Sequence, residues 1–71
     1  MNDRYADPDV AVALGRLSDR QRQAVVLVHG FGMTHREVAT LLGCRRSTVQ
    51  NHVERGLRRL RDELQVNLDV G

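Results

Sequence analysis

Seventy-one residues carrying one cysteine and a net charge of +2 make one small domain, with no internal disulfide and no two-cysteine metal site. No apolar run approaches the roughly 20 residues a membrane span needs, and the start lacks a signal-peptide pattern, so a cytoplasmic domain with no membrane partner is expected. All eleven basic residues are arginine, and six of them (Arg45, Arg46, Arg55, Arg58, Arg59 and Arg61) fall within residues 45–61 against Glu54 alone, a patch that attracts polyanions.

Residues 1–6 read as a flexible tail. Asp7-Pro8-Asp9 is a helix start: Asp7 can cap, Pro8 suits the first helical position, and Asp9 favours the positive end of the helix dipole. Val10, Ala13, Leu14 and Leu17 give the apolar spacing of a first helix that ends between Gly15 and Leu17. Ser18 and Gln21 form a capping-box pattern for a second helix, with Ala24, Leu27, Val28 and Phe31 as its core-facing stripe. Gly30 and Gly32 supply its stop and the loop.

Thr34 and Glu37 repeat the capping box for a short third helix, with Val38, Ala39, Leu41 and Leu42 on its buried side and Gly43 as a left-handed C-cap. Ser47 and Gln50 suggest a third box. The fourth helix then carries Val49, Val53, Leu57, Leu60 and Leu64 on one side, and from Thr48 to about Val66 it would be roughly 28 Å long. Nothing alternates as a strand does. The fold expected is all-α, a small four-helix domain at residues 7–67. Its last two helices form a helix-turn-helix with a long C-terminal recognition helix, and residues 68–71 form a second tail. The core is aliphatic, with one Phe, one Tyr and no Trp, which disfavours base-stacking platforms.

A capped helix, a glycine turn and an arginine-rich helix have the shape and charge to enter the major groove of duplex DNA. A helical wheel places Val49, Val53, Gly56, Leu57 and Leu60 on the core side of the fourth helix. Ser47, Thr48, Asn51, Arg55 and Arg58 lie opposite, with Gln50 and Glu54 on one flank. Asn and Gln pair with adenine, Arg with guanine, and Glu accepts from cytosine. Gln50, Asn51, Glu54 and Arg55 are therefore the candidate base readers, with Glu54 alternatively pairing Arg58 at i+4. Arg36, Arg45, Arg46, Ser47, Thr48 and Arg58 are the candidate phosphate contacts. Arg59 and Arg61 read as a solvated flank, and Arg22 as half of a structural ion pair, with Glu37 as the suggested partner. Cys44 fills the turn as a small apolar group. His29, His35 and His52 have no metal spacing with it. No phosphate loop, nucleophile elbow or paired carboxylate occurs, so neither a catalytic site nor a cofactor is expected.

Several short stretches resemble region 4 of bacterial sigma factors, especially the small extracytoplasmic-function type: Leu17-Ser18 with Arg22, Gly32-Met33-Thr34, Glu37-Val38-Ala39, Leu42-Gly43-Cys44, Ser47-Thr48-Val49, and Arg55-Gly56-Leu57 with Leu60-Arg61. The run LGC…STV…RGLRRLR is similar to actinobacterial members, and the resemblance covers about two-thirds of the chain. It implies sequence-specific binding of the −35 promoter element as duplex DNA. It also implies docking to RNA polymerase core through the β flap for transcription initiation, and cover by an anti-sigma factor. Read as a protein-interaction module, the chain would use Met33, Phe31 and Leu64 as the docking cleft. Gln50-Asn51-His52-Val53 also resembles the recognition helix of LuxR-type effector domains. That family usually has one residue fewer between the last two helices and lacks the arginine-rich tail. A chain monomeric on its own is the expectation.

Overall fold

The computed structural model describes the backbone of residues 8–70 and the side chains of residues 9–65; the tail expected at 1–6 and the Asp7 cap lie outside the described residues. Four α-helices follow in order, with no strand among the described residues: α1 Pro8–Gly15, α2 Asp19–Val25, α3 His35–Leu42 and α4 Arg46–Val70. A π-helical segment, Val26–Gly30, extends α2 directly.

Both of the first two capping boxes form. Ser18 Oγ accepts the Gln21 backbone N–H at 3.2 Å, and Gln21 Oε1 accepts the Ser18 N–H at 3.2 Å. At α3, Thr34 Oγ1 accepts from the Glu37 N–H at 3.0 Å and Glu37 Oε1 accepts from the Thr34 N–H at 2.8 Å. Each box satisfies two donors that the first turn of a helix otherwise leaves open. The third box does not form. Arg45 O accepts the Val49 N–H at 3.1 Å, which starts α4 at Arg46 and places Ser47 inside the first turn. The helix also runs on to Val70, beyond the end expected near Val66.

The core is the meeting of α2, α3 and α4: Ala24, Val38, Ala39, Val49 and Val53 are buried together, with Leu27, Val28, Met33, Leu42, Cys44 and Leu57 packed against them. α1 lies against α4, burying Ala13 and Leu17. Arg16 Nε reaches Glu63 Oε2 at 3.6 Å and ties the end of α1 to the outer half of α4. At Gly56 α4 packs tightly on α2; a Cβ there would stand 2.7 Å from Val25 Cγ2 and 3.4 Å from the Gln21 carbonyl oxygen.

Two apolar assignments are corrected. Phe31 is 73% exposed rather than core-facing. The reason is the π turn, in which the Phe31 N–H donates to Val26 O, five residues back, at 3.0 Å. That wider turn carries Phe31 off the stripe begun by Ala24. Leu41 is 62% exposed, because α3 has room to bury only the side that carries Val38 and Ala39.

Candidate nucleic-acid interface

The turn between α3 and α4 sets the direction of everything after it. Gly43 has φ 71°, the left-handed region that a residue with a Cβ enters only at a cost. The Gly43 and Cys44 N–H groups both return to Ala39 O, the latter at 3.0 Å, and the half-buried Cys44 packs against the core cluster. This closure satisfies the end of α3 and fastens the start of α4 to the core within three residues.

From that anchor, the fully buried Val49 and the nearly buried Val53 fix the rotation of α4 about its own axis. The 3.6-residue repeat then decides what faces outward. Gln50, Asn51, Glu54 and Arg55 are all exposed, and so are Arg45, Arg46, Ser47 and Arg58; Thr48 is half-buried. Arg36 stands exposed in the first turn of α3. Nine of the ten residues singled out from the sequence are thus exposed on the two helices and the Gly43 turn that joins them, and Thr48 is half-buried among them.

Their charges are unspent. Among the described residues, the ion pairs are Arg16–Glu63, Arg22–Asp19 and Arg59–Glu63, and none engages Arg36, Arg45, Arg46, Arg55 or Arg58. Arg22 pairs with Asp19 at 2.7 Å, not with Glu37, whose carboxylate is committed to the Thr34 cap. That commitment lowers the Glu37 pKa, through the Thr34 backbone N–H first and the Thr34 hydroxyl second. Glu54 does not pair with Arg58 either; it accepts a hydrogen bond from Gln50.

One neighbour of the site was not legible in sequence. Gln21 of α2 joins Arg55, Arg58, Arg59 and Asp62 in lining a shallow polar groove of about 310 Å³. Its only sequence signal was the capping box, and closure of the groove depends on how near Gly56 brings the two helices. Of the cleft expected from Met33, Phe31 and Leu64, Met33 packs against the core cluster and Phe31 is exposed. An open apolar recess of about 380 Å³ lies between α2, the π segment and the end of α3, lined by Arg22, Gln23, Val26, Leu27 and Leu42. Among the described residues no three metal-ligating side chains cluster, and no helix is long and apolar enough to cross a membrane.

A family model described as Sigma-70, region 4 matches residues 9–60, well over half of the chain. No curated protein and no solved structure matches the chain at a significant level. Domains of this family bind promoter DNA and interact with RNA polymerase, and they are not catalytic. The match spans α1 to the outward-facing part of α4, with the capped α3 and the left-handed turn between them; the chain belongs to the sigma-70 region 4 family.

Proposed function

We propose that this domain binds the −35 promoter element as duplex DNA, with the N-terminal half of α4 in the major groove. In this reading Gln50, Asn51, Glu54 and Arg55 meet base edges. Arg36, Arg45, Arg46, Ser47, Thr48 and Arg58 meet phosphates on either side. The observation that carries it is the unpaired, exposed guanidinium set around a helix whose opposite side is locked by Val49 and Val53. Helices presented in this way read bases with their first turns, while arginines and helix N-termini hold the backbone. The spacing of LGC…STV…RGLRRLR supports the finer assignment to the extracytoplasmic-function type, similar to actinobacterial members.

The test is a titration of a labelled promoter duplex over a range of salt. Four or five phosphate contacts give a log–log slope of about −4. A flat response sinks the proposal.

A second role has its own observation. The apolar recess between α2 and α3 shares no residue with the DNA set, and it suits docking of the polymerase β flap or cover by an anti-sigma factor. Capture of a flap-tip segment without DNA would support it, and failure of that segment to bind would remove it.

A further inference from the structure

Two of the residues facing outward from α4 are joined to each other. Gln50 Nε2 donates to Glu54 Oε1 at 3.2 Å, across one helical turn. The chemistry fixes which way the amide lies: an ionised carboxylate only accepts, so the atom turned toward it is the nitrogen. Arg58 stands at the same i+4 spacing from Glu54, yet among the described residues the carboxylate makes no ion pair. The Glu54 charge is therefore left to act on whatever approaches this flank.

The joined pair presents a lopsided set of groups. Gln50 keeps its carbonyl oxygen and one N–H, and Glu54 keeps its second carboxylate oxygen, so acceptors outnumber donors. In the major groove, adenine N6 and cytosine N4 are amino donors, whereas guanine O6 and thymine O4 are acceptors. An acceptor-rich pair bonds to the first two and meets lone pairs on the others. The remaining N–H and carbonyl of Gln50 are still the pair of groups that an adenine edge requires.

We infer that Gln50 and Glu54 act as one reading unit that selects a base bearing a major-groove amino group, with Glu54 the positioning residue that sets the Gln50 amide. The inference rests on the proposal that α4 reads duplex DNA. It changes what Glu54 does there: instead of an independent reader of its own base, it determines how Gln50 reads.

The experiment is selection from a pool of duplexes carrying a randomised window, followed by sequencing. It compares the wild type with Gln50→Ala, Glu54→Ala, Glu54→Gln and the double alanine variant. The wild type should prefer adenine or cytosine at one position. Each single alanine variant should lower that preference by about tenfold at the same position, and the double variant should lose no more than the worse single. Glu54→Gln offers a donor as well as an acceptor, so it no longer fixes the Gln50 amide and should lose most of the preference as the alanine variant does, whereas a purely structural role would be rescued by this isosteric change. Glu54→Ala acting at another position, losses that multiply in the double variant, or a preference for guanine or thymine would each overturn the unit. If the wild type enriches no sequence and its binding ignores salt, the DNA reading falls and the unit with it. Enrichment that survives while the two residues act independently removes the unit alone.

Discussion

A single carboxylate shows how closely local chemistry ties this fold to pH. Glu37 is exposed, yet the Thr34 N–H and hydroxyl favour its ionised form and hold its pKa below the ordinary value. A pKa lowered by folding means that the unfolded chain takes up the proton first. The stabilisation is therefore complete above the ordinary glutamate value and disappears as pH falls through the lowered one. Glu37→Gln keeps an acceptor for the cap but cannot titrate. Melting curves from about pH 7 to about pH 3 should show the wild type ahead at neutral pH and the gap closing in acid. A gap that stays constant would mean that the carboxylate contributes nothing through its charge. Residue-scale chemistry of this kind was legible in the sequence, because Ser18…Gln21 and Thr34…Glu37 each close a box within four residues. Ser47…Gln50 has the same letters and closes nothing, since the Gly43–Cys44 closure starts the helix one residue before Ser47.

Among the elements, the crossing of α2 and α4 is the contact that shapes the site. Glycine in the middle of a helix costs about 1 kcal/mol relative to alanine, so Gly56→Ala should stabilise α4 in isolation. In the folded chain the added methyl would stand 2.7 Å from Val25 Cγ2, on a β-branched side chain with little rotameric freedom. Overpacking of this kind costs about 1–3 kcal/mol, which exceeds the helical gain. The expected net loss of about 1 kcal/mol lowers the melting midpoint by about 4–8 °C in a domain this size. A raised midpoint would show that α2 can move aside freely. The wheel placed Gly56 on the core side of α4, but which residue it meets depends on tertiary approach and could not be read from spacing. For the same reason Gln21 was visible as a cap and not as a neighbour of Arg55, Arg58 and Arg59.

At the scale of the whole molecule, the polar residues proposed to read DNA and the apolar recess are different residues of one small domain. α4 contributes the exposed face, while α2, the π segment and the end of α3 contribute the recess. Two partners bound in this way need not compete. A saturating flap-tip segment should leave the dissociation constant for promoter duplex unchanged within twofold, a coupling of less than about 0.4 kcal/mol. Mutual displacement, measured by anisotropy of the labelled duplex, would place both partners on one surface. The four-helix order and the outward side of α4 could be read from the sequence, because apolar periodicity alone decides them. The recess could not, because it is the gap left where Leu27 and Leu42 only partly cover the core, and that depends on the angle between their helices.

The π turn at Val26–Gly30 has a consequence for how this chain tolerates change. Such a turn is what a helix adopts when it carries one residue more than its regular winding can hold. It gives the segment before α3 a single unit of slack. Taking one residue out there would let α2 wind evenly into the loop and swing the aromatic ring of Phe31 back toward the interior. Substitutions that leave the count alone would keep the ring in water. In this stretch the number of residues, more than their identity, decides which side chain meets solvent.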